Sequence, residues 1–255
     1  TDITVVTSAG NVLQTPGALA TGAGRPNPAC ASFKERDETR VDPDNHQSAG
    51  FVLTYGRFRM LNLGDFTWNR EFKLMCPNNP IGTVDLYLTS HHGLDQSGSA
   101  ALVHGVRPRV AIMNNGTRKG GAVQTAEILE SSPGLEDRWQ LHWSYWDCVE
   151  HNAPGVMIAN IDEPAQLAAI LTSPAPGAQP AAAPPAGPGG NAAHTPAHYL
   201  KVSARTDGSF QVTNSISITL VTQPGRMKTP DSSSARNSLR LTPSTTKTRV
   251  LTTVS

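Results

Sequence analysis

The sequence predicts an α/β layered domain with helices covering a sheet. Two observations point to it. Between residues 51 and 146, short β-rich apolar runs alternate with segments of helical periodicity, in the order strand, helix, strand, helix, strand. Gly, Pro and Asn, the residues that turn a chain, punctuate those runs.

The elements follow in chain order. Residues 2 to 6, "DITVV", read as a short strand, and the Gly/Pro-rich stretch 16 to 30 as a long irregular loop. Residues 31 to 48 are densely charged and broken by Pro43, which predicts a solvated connection. "GFVLTYGRFRMLNLGD" then gives two β-rich arms meeting at Tyr55-Gly56-Arg57, a hairpin. "TVDLYLTS" is a strand, "ALVHGVRP" a short amphipathic helix and "RVAIMNN" a buried strand. "AVQTAEILESS" places Val123, Ala126, Ile128 and Leu129 on one helical face with Gly134 beyond its end. "WQLHWSY" alternates as a strand, and "AQLAAILTS" is a short helix candidate.

Four regions result. Residues 1–172 form the main domain, and the Pro/Ala/Gly tract 173–197 is a linker or inserted loop, too poor in large apolar side chains to fold. Residues 198–214 form a β-hairpin around Thr206-Asp207-Gly208 that completes the domain. Residues 215–255, rich in Ser, Thr and Arg, read as a disordered low-complexity tail.

Composition narrows the function classes. Twenty-one basic and twenty acidic residues leave a formal charge of +1. Electrostatic binding to nucleic acid, for instance through Arg107, Arg109, Arg118 and Lys119, is therefore disfavoured. No apolar run is long enough to cross a bilayer as a helix. The chain opens on Thr1 with neither an initiator Met nor a signal-peptide profile, and is read as the interior of a longer protein. Of Cys30, Cys76 and Cys148, none sits in a CxxC spacing. They read as structural or free thiols, or Cys30 and Cys76 pair, which implies export.

The candidate chemistry lies at strand ends. Asp65 follows "RMLNLG", and His91 and His92 follow "DLYLTS", each beside a glycine that lets the chain turn. Taken singly, Asp65 is a turn cap and the histidines are polar loop residues. Taken together, a carboxylate and imidazoles suit Zn, Mn or Fe. Ser97, Asn114, Asn115 and Lys119 lie on the following loops, where substrate oxygens would be expected, or are ordinary loop polar groups. His104 reads as structural or exposed, His142 as packed, and His46, His151, His194 and His198 carry no ligand spacing.

"GFVLTYGRFRMLNLGD", "VDLYLTSHHGLDQS" and "VRPRVAIMNNG", in that order, resemble the second half of the metallo-β-lactamase superfamily. The branch they resemble is the extracellular hydrolase domain of competence proteins. The matching positions are Asn45 and Ser48, Gly64-Asp65, His91-His92-Gly93 with Ser97, and Pro108, across roughly 45 to 145. The resemblance implies an αββα sandwich and a dinuclear zinc hydrolase that favours phosphoesters. Asp65 would bridge two metal ions, with His91 a ligand to the second ion and His92 its alternative or its hydrogen-bonding neighbour. Ser97, Asn115 and Lys119 would bind substrate. The superfamily's HxHxDH motif is not in this sequence. The expectation is thus the C-terminal half of such a hydrolase, weakly active or inactive, or a non-catalytic scaffold of the same fold. One sheet face would stand uncovered, favouring self-association, and an extracytoplasmic location is favoured.

Overall fold

The computed structural model describes residues 1–14, 20–145, 149–161, 198–215 and 218–222. The helix candidate at 165–173, the linker at 173–197, Cys148 and the tail after 222 lie outside them. The elements are β1 (Asp2–Ser8), β2 (Asn11–Val12), β3 (Arg25–Pro26), β4 (Gly50–Tyr55), β5 (Phe58–Asn62), α1 (Trp68–Met75), β6 (Asn78–Asn79), β7 (Leu86–Leu88), α2 (Ala100–Val106), β8 (Val110–Met113), α3 (Val123–Glu130), β9 (Asp137–His142), β10 (Ile158–Asn160), β11 (Leu200–Ala204), β12 (Phe210–Asn214) and β13 (Ile218–Thr222). The mixed α/β class predicted from the sequence is the class observed, and among the described residues no helix is long and apolar enough to cross a membrane.

Eight strands form one sheet in the order β10-β9-β8-β7-β5-β4-β1-β2. Connection length sets the direction of pairing. A two-residue turn at Gly56-Arg57 joins β4 to β5 antiparallel, whereas β5, β7, β8 and β9 pair in parallel because α1, α2 and α3 return the chain between them. Alternate residues sort to two cores. Leu61, Tyr87, Ala111 and Met113 face α1, α2 and α3 with Leu74, Leu102, Val106 and Leu129. Leu86, Val110 and Ile112 face the other way, against Phe210 and Val212 of β12.

That second face packs against β11 and β12 of the three-stranded sheet β11-β12-β13. The uncovered-face expectation is therefore corrected to a smaller patch. Apolar exposure on this side is concentrated on β1, where Ile3 and Val5, paired opposite Leu53 and Phe51, are 64% and 58% exposed. The strand β13 also lies where low complexity is expected. Its "ITLVT" is β-branched enough to continue the meander, and it pairs with β12 from Asn214↔Ile218 to Phe210↔Thr222.

Two further differences bear on the site. Helix α1 has no counterpart among the elements predicted from sequence, although "WNREFKLM" buries Trp68, Glu71, Leu74 and Met75 at helical spacing. The charged segment 31–48 contains no α-helix and is mostly exposed, as a solvated connection would be, but residues 33–38 within it form an ordered strap across α1. Phe33 stacks on Phe72 at 4.3 Å, the Arg36 guanidinium lies 3.4 Å over the Trp68 ring, and the Trp68 indole N–H donates to the Lys34 carbonyl at 3.0 Å. Asn69 clasps the Arg36 backbone from both sides, accepting its N–H at 3.0 Å and donating to its carbonyl at 2.8 Å. A Cys30–Cys76 disulfide ties the segment before the strap to the end of α1.

Candidate metal centre

The register brings the candidate residues together. Asn62 lies opposite Leu88, and Leu88 opposite Ile112, so β5, β7 and β8 end side by side. Asp65, the His91-His92 pair and Asn114 leave those three neighbouring ends. This is the edge where parallel α/β sheets gather their functional loops.

The histidine turn is unusual backbone. His91 (φ 50°, ψ 42°) and His92 (φ 59°, ψ 15°) are both left-handed, and Gly93 follows at φ 76°. Each non-glycine residue held there costs about 1–2 kcal/mol. The surroundings hold the turn in place. The His91 N–H donates to the Gly64 carbonyl at 2.9 Å, while Gly121 and Ala122 donate to the carbonyls of His92 and Gly93 at 3.1 and 2.9 Å. Such close approach of the 120–122 segment requires glycine at 120, where a Cβ would sit 1.9 Å from the His92 oxygen.

The two imidazole rings are tilted at 56° to one another, their centres 6.3 Å apart. His92 Nδ1 lies 3.0 Å from the Asn114 carbonyl, an acceptor only, so Nδ1 carries the proton in the neutral ring. Nε2 is left with a lone pair aimed at Asp65, 4.0 Å from Oδ1. The Asp65 carboxylate makes no hydrogen bond among the described residues and does not cap its own turn. Two acceptors face one another across a gap, and a cation would satisfy both. His92 and Asp65 are the residues that would hold such an ion, an imidazole and a carboxylate being an ordinary ligand pair for zinc. The carbonyl partner on the far ring nitrogen is also the support typical of ligating histidines.

His91 is different. Its ring is buried, with Nδ1 lacking a hydrogen-bond partner among the described residues. Burial is the largest influence and pushes its pKa below the ordinary value; the Asp65 carboxylate opposes this, and His92 and Lys119 reinforce it. A buried neutral imidazole with an open nitrogen is a competent ligand. Among the described residues no group of three or more His, Cys, Asp or Glu side chains is arranged to hold an ion. Donor type and tautomer thus fit a metal, while the number of donors among the described residues falls short of a complete site.

The residues proposed for substrate separate. Lys119 is exposed on the turn that packs against His92 and acts electrostatically on His91. Ser97 is buried, its hydroxyl donating to the Phe66 carbonyl at 2.7 Å. Asn115 is buried too and stitches β8 to β9, donating to the His142 carbonyl at 2.8 Å. Asn114 serves through its backbone, as the acceptor for His92.

Structure adds residues that sequence reasoning misses. Glu71 on α1 is fully buried and accepts the N–H groups of Gly98 and Ser99, both at 2.7 Å, fixing the far end of the histidine loop. Thr125 donates to the Leu94 carbonyl, and the Arg36 guanidinium reaches the Asp95 carbonyl and the Gln124 side chain. The available signal is Glu71 itself, a carboxylate three residues after Trp68 and four before Met75, on the apolar face of a helix. Compared with protein-family models, with curated proteins and with solved structures, the chain matches none.

Proposed function

We propose that this chain is part of a metal-dependent hydrolase of the metallo-β-lactamase type, an αββα fold. Asp65 and His92, with His91 behind them, would form one side of a zinc centre, with Mn or Fe as alternatives. The observation that carries the proposal is the facing pair, His92 Nε2 and Asp65 Oδ1 at 4.0 Å, with the other imidazole nitrogen held by a carbonyl. The remaining donors would come from outside the described residues. Lys119 beside this corner favours an anionic substrate, and a phosphoester is the class we assign. The disulfide between Cys30 and Cys76 supports an oxidising, extracytoplasmic setting.

Metal titration tests this. Zinc binding to the chain should be weak, close to one ion, and lost in Asp65→Ala and His92→Ala, with little hydrolysis of a generic phosphodiester. Unchanged metal content in Asp65→Ala would favour the second reading, a non-catalytic scaffold, which the packing roles of Ser97 and Asn115 support. Tight binding of two ions with brisk hydrolysis would overturn the view that the donor set is incomplete.

A further inference from the structure

A second feature lies at the opposite edge of the sheet. Helix α2 runs back from the histidine loop, so its C-terminal end and Arg107 stand at the N-terminal ends of the parallel strands, away from Asp65. There a cavity of about 510 Å³ opens between α2 and the segment around β3. Arg25, Arg107, His104 and Thr83 line it, over Asn27 and Asn79. Among the described residues no carboxylate lines it.

Three observations suggest a ligand. The guanidiniums of Arg25 and Arg107 come from different walls, and neither has a hydrogen-bond or ion-pair partner among the described residues, unlike Arg109 and Arg138. The walls are rigid: Asn27 donates to the carbonyls of Met75 and Ala101 at 3.2 and 2.8 Å, Asn79 donates to Gly105 at 2.9 Å, and the disulfide at Cys30 ties down the adjoining turn. Arg107 also occupies a left-handed position, φ 48°, just after α2, where glycine is the usual residue. A long cation is kept at a position whose backbone disfavours it.

We infer that this cavity binds a phosphate dianion, free or as the head group of a small phosphomonoester. Two guanidinium forks offer the paired N–H donors that phosphate oxygens accept, and the fixed walls reduce the ordering cost of binding. The site is independent of the proposed metal centre.

The test is calorimetric titration of the full chain with inorganic phosphate, with sodium chloride matching ionic strength. Binding is expected in the wild type, at least tenfold weaker in Arg107→Gly and Arg25→Gln, and unchanged in Asp65→Ala. Glycine suits the φ of residue 107, so Arg107→Gly should melt no lower than wild type without phosphate, separating lost binding from lost folding. Tighter binding of glycerol phosphate than of phosphate would assign the site to a phosphomonoester, and the reverse order to free phosphate; either upholds the inference. Phosphate behaving like chloride, or Arg107→Gly keeping wild-type affinity, would overturn it.

Discussion

Replacing Glu71 by Gln should change how stability depends on pH, in a direction the structure fixes. Burial pushes the Glu71 carboxyl from an ordinary 4.5 up to about 8, against the N–H groups of Gly98 and Ser99 and the charge of Arg36. Between those values the folded protein holds a proton that the unfolded chain has released. The contribution to stability is therefore fully present below pH 4.5 and is lost as pH rises towards 8. The separation of the two values corresponds to about 5 kcal/mol. Glutamine does not titrate, and its amide N–H group must oppose one backbone N–H, a cost of about 1–3 kcal/mol. Urea unfolding at about pH 5, 6.5 and 8.5 reads both effects. The variant should be the less stable protein at the lowest pH, and the more stable at the highest. His91, whose pKa burial lowers, acts with the opposite sign, its contribution being lost as pH falls below 6.5. It is present in both proteins and cancels in their difference. A deficit in the glutamine variant that grew with pH would refute the reasoning, because the two amides would then be holding an ionised carboxylate.

Two other outcomes follow from the packing of the same region. Gly120→Ala drives a methyl into the His92 carbonyl and must displace the histidine turn, at a cost of at least 2 kcal/mol by thermal unfolding, roughly the penalty of a forced clash with left-handed strain. Its zinc affinity should fall with it, whereas a wild-type melting curve would mean the turn is not held as described. Reducing the Cys30–Cys76 disulfide, or replacing both cysteines with Ser, opens a loop of 46 residues' separation and should cost about 4 kcal/mol. The change in urea midpoint measures it, and an unchanged midpoint would leave the strap anchored by Phe33, Arg36 and Asn69 alone.

Much of the fold is legible in the sequence because its signals are local. The strands from Gly50 to Asn62 and from Val110 to Met113, and the helices containing Leu102 and Leu129, are predicted by spacing, since alternation and helical periodicity record which side of an element is buried. Helix α1 is harder to read, with Arg70 and Lys73 dispersed among its apolar residues and Glu71 on its buried face. The strap at 33–38 resists the same reading. Its charges suggest solvent, and their partners, Asn69, Trp68 and Asp95, lie more than thirty residues away.

By itself the sequence determined the alternation of strands and helices, and that Asp65, His91 and His92 stand at strand ends. These follow from residue type and spacing, which act over a few neighbours. Only the tertiary structure decided the rest. It held His92 on the Asn114 carbonyl with Nε2 4.0 Å from Asp65, put Ser97 and Asn115 to work inside the fold, and set Arg25 and Arg107 across one cavity. The direction of a side chain depends on backbone held by distant hydrogen bonds, such as those from Gly121 and Ala122 to the histidine turn, and no local pattern encodes them.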